Sequence, residues 1–219
     1  MSARRFFNFG LISLIVVAVA GTAWVLDWTS KRPLATSGGI YIPGTIEIPG
    51  PHFLQGDSRW SEDLLGNTED SLAEVGCAVA AAAMALAGYG AETDPGQLNA
   101  FLRRTKGGYT PEGWLYWEKA AETDPELTTA LLPHYEDAPS HFLIDWNLLR
   151  GNPVIVRVRY PGGTTHFVLV CGKQGFEYLV RDPGEGGRSG LSLLRDFPAP
   201  VEALRFYKKP KLAPDSLLQ

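Results

Sequence analysis

The sequence predicts an α+β fold: a helical half first, an antiparallel sheet after it, and a transmembrane helix ahead of both. Three observations carry this reading. Residues 6–26 hold no charged side chain. Residues 77–149 hold a succession of helix-starting signals. From Val154 onward the chain turns to β-branched runs broken by Pro and Gly.

At ~1.5 Å per residue the run Phe6–Leu26 is about 30 Å long as a helix, enough to cross a bilayer core. Arg4 and Arg5 precede it, and Trp24 and Trp28 fall where the far interface would be. Ala18-Val19-Ala20 resembles a signal-peptidase site. The apolar run continues past it through Trp24 to Leu26, which favours an uncleaved anchor over a removed signal. Residues 1–32 are thus expected to be a single-pass membrane anchor that exports the rest to the periplasm or cell surface. Those residues hold four of the chain's twenty Lys and Arg and one of its twenty-four Asp and Glu, so the remainder carries a net charge of −7. An acidic domain is a poor partner for nucleic acid.

Residues 33–50 read as a linker and lead-in strand, with alternating pieces at Ile40-Tyr41-Ile42 and Ile46-Glu47-Ile48. Residues 51–208 form the main domain and 209–219 a tail. A central helix is expected over Cys77–Ala87, stopped by Gly88 and Gly90. Asp94-Pro95 starts a second helix to about Arg104, and Thr110-Pro111-Glu112 a third to about Glu122. Ser140 caps a fourth, to about Leu149. Val154–Tyr160 is a strand, and His166–Cys171 with Phe176–Arg181 form a hairpin.

Cys77 stands at the start of its helix, where the macrodipole and free N–H groups favour thiolate. His166 opens one hairpin arm and Asp182 ends the other. A three-residue loop, Lys173-Gln174-Gly175, sets His166 opposite Asp182, and Gly175 supplies the left-handed residue that such a loop needs. Cys, His and Asp then serve as nucleophile, general base and orienter. Strand alternation puts Cys171 on the face away from His166, as a core residue with no disulfide to Cys77. Against this chemistry stand plainer roles: Cys77 as a small core residue, His166 as a strand histidine and Asp182-Pro183 as a turn. His52, His134 and His141 lie in turn-like or cap-like contexts. Asp57, Arg59 and Trp60 read as scaffold, and Trp114, Tyr116, Trp117 and Trp146 as core. Four scattered His and two Cys give no zinc spacing, and no nucleotide-binding loop is present, so neither metal nor cofactor is expected.

Taken in order, these pieces resemble the C39-like branch of the papain-like cysteine peptidases. The matching runs are Gln55–Trp60, Gly76-Cys77-Ala78 with Met84 and Gly88-Tyr89-Gly90, Gly151–Val156, His166–Val170 and Arg181-Asp182-Pro183. The resemblance implies a papain-like fold acting on a peptide or protein substrate. It implies that Gln55, with the Cys77 N–H, forms an oxyanion hole. Gly76, Tyr160 and Thr165 are expected to line the substrate cleft. The best-known relatives are peptidase domains of bacteriocin exporters that cut after a double glycine. This sequence shows no ATPase motif, and that substrate is not carried over. The expected activity is a membrane-anchored peptidase. The alternatives are an acyltransferase or cell-wall amidase with the same triad, or a non-catalytic peptide-binding module. The Asp-Cys-Ser motif of common cell-wall cysteine peptidases is absent, since Cys77 sits in Gly-Cys-Ala.

Overall fold

A computed structural model describes residues 17–19, 21, 33–125, 132–136, 138–184 and 190–208, with the side chains of 132–136 and 208 left out. Most of the expected membrane segment, and the tail 209–219, lie outside the described residues. Among the described residues no helix is long and apolar enough to cross a membrane.

The region from Leu34 onward is one unit of mixed helix and antiparallel sheet. Its strands are β1 (Ser37–Glu47), β2 (Leu132–Glu136), β3 (Val154–Arg159), β4 (Thr165–Arg181), β5 (Ser192–Leu193) and β6 (Val201–Lys208). They run in the order β1-β4-β3-β6-β2, and β5 pairs with β4. The helices are α1 (Leu72–Val75), α2 (Cys77–Gly88), α3 (Pro95–Arg104), α4 (Trp117–Ala121) and α5 (His141–Leu148).

Helix α2 is buried from Val79 to Leu86. Its alanines let the backbone lie close to β4 and β3. It follows α1 with only Gly76 between them. A Cβ on Gly76 would fall against the Leu72 carbonyl oxygen, so the two helices can meet this tightly only at a glycine. The Asp94 carboxylate caps α3 through the Gln97 N–H (2.8 Å), and the Ser140 hydroxyl caps α5 through the Leu143 N–H (3.2 Å), as the sequence suggests.

The third expected helix does not start at Pro111. Thr110 N–H donates to the Trp114 carbonyl (2.8 Å), the Gly113 N–H to the Thr110 carbonyl (3.0 Å), and Gly113 has φ +84°. A residue in the left-handed region cannot continue a helix, so residues 110–116 form a loop and α4 begins at Trp117. Exposure of Trp114 (53%), Tyr116 (41%) and Trp146 (46%) overturns their reading as core, whereas Trp117 is buried.

The extended run β4 doubles back on itself. Cys171 Sγ lies 3.7 Å from the Leu179 carbonyl, eight residues on, where a straight strand would separate them by about 26 Å. The reversal passes through Gly175 at φ +58°, as expected. Its other loop residues differ from expectation: Lys173 and Gln174 pair with Ile46 and Thr45 of β1. Strict alternation also fails beyond Val170, since Val168, Val170 and Cys171 all enter one core cluster. There the chain leaves its ladder with β3, which ends at Val170, and takes up β1 from Gly172. Both cysteines are free thiols and Cys171 is buried.

The sheet separates two cores. Ile155, Phe167, Leu169 and Tyr207 face α2, α3 and α4. Val154, Val156, Val158, Leu204 and Phe206 pack with Ile144 and Leu148 of α5 on the other side. Beside this second core lies a polar cluster that no sequence pattern signals. The Lys173 ammonium donates to Asp145 Oδ1 (2.5 Å) and the Gly38 carbonyl (2.6 Å). Asp145 also accepts from the Tyr178 hydroxyl (3.0 Å) and the Ile40 N–H (2.6 Å). Both charged side chains are 1% exposed.

Removing one partner of a buried pair strands the other charge. Asp145→Ala should therefore lower stability in urea unfolding by about 3–5 kcal/mol, and the double variant Asp145→Leu/Lys173→Met should lose less than Asp145→Ala alone.

Candidate active site

Cys77 is the first residue of α2 and is half-buried. The opening turn of a helix has N–H groups without intrahelical partners, so this thiol sits among backbone donors. It lines the same cleft as His166 and lies near enough to raise the pKa of that imidazole. The other face of that pair comes from the sheet. His166 pairs with Val158 of β3, and its Nε2 lies 2.7 Å from Asp182 Oδ1. The Asp182 carboxylate also accepts the Gly184 N–H (2.8 Å).

Burial pushes the Asp182 pKa up, but hydrogen bonds from His166 and the Gly184 N–H outweigh it, and the value is lowered. An ionised carboxylate only accepts, so Nε2 carries the proton and donates. That leaves Nδ1 as the ring nitrogen for Cys77. For His166 burial is the largest single influence and disfavours the cation. The hydrogen bond to Asp182 and the nearness of Cys77, with the electrostatic pull of both groups, overcome it and raise the pKa to about 9. The ring is held between Tyr160 and Phe197, each with its centroid 6.1 Å away and within 28° of parallel.

Gln55 and Cys77 line the same cleft, of about 730 Å³, with His166, Tyr160 and Thr165. The Gln55 N–H donates to the Pro183 carbonyl (2.8 Å), tying this loop to the residue after Asp182. Its Nε2 donates to the Ala73 carbonyl (2.6 Å). One amide hydrogen is thereby used and the second remains. Trp60, whose Nε1–H donates to the Leu54 carbonyl (2.9 Å), and the exposed Asp57–Arg59 pair (2.8 Å) brace the loop as scaffold.

Gly76 is not among the residues that line the cleft. It is buried beneath α1, and the close approach to Leu72 accounts for it. Conversely, two residues near His166 and Asp182 carry no sequence signal. Phe197 follows a short 3₁₀ turn, Leu194–Asp196. His52 stands in a Pro-rich turn, yet its Nε2 lies 2.7 Å from the Asp182 carbonyl oxygen and its Nδ1 accepts the Gly190 N–H (3.4 Å). His141 instead stacks on Tyr178 beside the second core. Among the described residues no group of three His, Cys, Asp or Glu gathers to hold a metal ion.

No family model and no curated protein matches the chain. Solved structures do resemble it. A chain from Bacillus anthracis named as a C39-like peptidase is 15% identical with a TM-score of 0.48; the match covers 76% of this chain and 98% of that one. The peptidase domain of Streptococcus ComA, a bifunctional ABC transporter of a quorum-sensing pathway, is 19% identical with a TM-score of 0.43, over 61% and 91%. Both are peptidases by name. The chemistry of this chain rests on its own residues.

In an NMR titration the His166 imidazole should change protonation near pH 9. Asp182→Asn and Cys77→Ala should each bring the midpoint down toward the ordinary value of about 6.5. A folded-state pKa above the unfolded one gives a stabilisation that is complete below about pH 6.5 and lost as pH rises through about 9. The urea midpoint of the wild type should fall across that window by more than that of Asp182→Asn.

Proposed function

We propose that the chain is a papain-like thiol hydrolase, a cysteine peptidase tethered by residues 1–32 with its catalytic domain outside the cytoplasm. The observation that carries the reading is the imidazole of His166 hydrogen-bonded to Asp182 and sharing with Cys77 a cleft large enough for a peptide. The motif resemblance to C39-like peptidases supports it. The uncharged run Phe6–Leu26 supports the tether.

In this mechanism Asp182 orients the ring and stabilises its protonated form. His166 holds the proton as an imidazolium beside the Cys77 sulfur anion, and that sulfur attacks the scissile carbonyl. The carbonyl π electrons move to oxygen. The remaining Nε2–H of Gln55 and the Cys77 N–H hold that oxyanion. His166 then gives its proton to the amine nitrogen as the C–N bond breaks, leaving a thioester. His166 next draws a proton from water, the hydroxide displaces the thiolate from carbon, and the acid leaves.

Cys77→Ala should abolish hydrolysis of a quenched-fluorescence peptide library while its circular dichroism stays close to wild type. Full activity in that variant would end the assignment. Gln55→Ala should lower kcat by about 10²–10³ with a much smaller change in KM, because the oxyanion exists only in the transition state. In the wild type, iodoacetamide should alkylate the half-buried Cys77 well before the buried Cys171, and His166→Ala should slow the reaction at Cys77.

A further inference from the structure

The cleft floor on the sheet side is cationic, although the domain is acidic. Ile155, Arg157 and Arg159 alternate along β3 onto the helix-facing side of the sheet, and Arg205 lies opposite Ile155 on β6. Helices cover this face over Ile155, Leu169 and Tyr207. Over the arginines the cover ends, and all three guanidinium side chains line the cleft that holds Cys77 and His166.

Arg157 and Arg159 share a single carboxylate. Glu202 Oε1 lies 2.8 Å from Arg159 Nε, and Glu202 Oε2 lies 3.4 Å from Arg157 Nε. Arg159 Nη1 also donates to the Gly163 carbonyl (2.9 Å), which fixes the guanidinium beside the lip of the cleft. Its side chain is 44% exposed. Across the cleft the helical half presents Asp70, Glu74 and Glu112. The Glu74 carboxylate is taken up by the Ser71 N–H and hydroxyl (2.9 Å each). The cleft therefore has a negative wall and a positive floor, a field that orients a charged ligand in one direction.

We propose that Arg157 and Arg159 are specificity residues that receive a carboxylate of the peptide substrate, an Asp or Glu side chain close to the scissile bond. This rests on reading the cleft as a peptide site. Arg159 pairs with Thr165 and Arg157 with Phe167, on either side of the His166–Val158 pair. With strands ~4.8 Å apart and a peptide advancing ~3.4 Å per residue, the acidic residue falls about one or two positions from the bond that is cut. The planar fork of Arg matches a carboxylate better than a Lys would, which gives geometric as well as charge selection.

The test uses the full-length chain and two readouts. The first is fluorescence anisotropy of labelled Ala-Gly heptapeptides with Glu, Gln or Lys at each central position in turn, on Cys77→Ala. At one position the Glu peptide should bind about tenfold more tightly than the Gln peptide, and added salt should reduce the advantage. Arg159→Gln and Arg157→Gln in that background should bring the Glu-to-Gln ratio toward one. Glu202→Gln, which removes the competing carboxylate, should raise it, a gain that misfolding cannot imitate. Equal binding of the Glu and Gln peptides at every position, or a preference unchanged in both Arg variants, overturns the inference. The second readout is kcat/KM of the wild type for the same peptides, which should follow the same order. A binding preference without cleavage of any peptide would uphold the carboxylate site and count against the peptidase reading alone.

Discussion

The chain reversal inside β4 is the constraint on which the site depends. One arm carries the ladder to β3, and residues near the turn carry the ladder to β1. The same reversal sets His166 and Asp182, sixteen residues apart, at hydrogen-bond distance. Gly175 permits it with φ +58°, a conformation that costs an L side chain about 1 kcal/mol or more. The contact is also desolvated, because Tyr160 and Phe197 sandwich the ring. Removal of water strengthens the pull of Asp182 on the imidazolium and raises the penalty for the cation. The pull of Asp182 together with that of Cys77 outweighs the penalty, and the His166 pKa is raised.

The helical half packs on the sheet through one shared core, and a few hydrogen bonds pin it there. Gln55 N–H to the Pro183 carbonyl joins the scaffold loop to the end of β4. The Tyr89 hydroxyl donates to the Tyr207 carbonyl (2.8 Å), and the Tyr207 hydroxyl to the Trp117 carbonyl (3.1 Å). Each bond crosses from the helices to the sheet or its end. Burial raises the Tyr89 pKa well above the ordinary phenol value, so this link stays protonated over the accessible pH range. The orientation of α2 is set separately, by the absence of a side chain at Gly76. Helix direction and hairpin register thus converge on Cys77 and His166 from independent local causes.

Readability from the sequence follows from whether the cause is local. The α3 and α5 caps are set by Asp94 and Ser140 acting on N–H groups three residues away, and they stand as expected. The hairpin turn is equally local at Gly175. Thr110-Pro111-Glu112 carries the same kind of signal as Asp94-Pro95, but Gly113, the next residue, takes a positive φ and converts it to a turn. Whether Gly adopts that conformation is decided by tertiary contact, since its position abuts Thr68 and Leu65. Lys173 looked like a loop residue because its type prefers water. Asp145, the Gly38 carbonyl and Tyr178 make its burial tolerable, and the first two are distant in sequence. The roles of His52, Phe197 and the arginine floor are of the same long-range kind.

The two thiols show how the layering protects reactive chemistry. A free cysteine in an oxidising compartment is open to disulfide formation with any second thiol it can reach. Cys77 packs against the helix-side core, whereas Cys171 lies in the core on the other side of the sheet. A bridge would require the chain to pass through its own hydrogen-bonded ladder. Burial also pushes the Cys171 thiol up to about 11, so it holds its proton near neutral pH and is a poor attacking group in exchange. The departure from strict alternation at Cys171 does not weaken this separation, because the residue stays inside the second core. The two cysteines therefore stay free of each other, each held in its own layer.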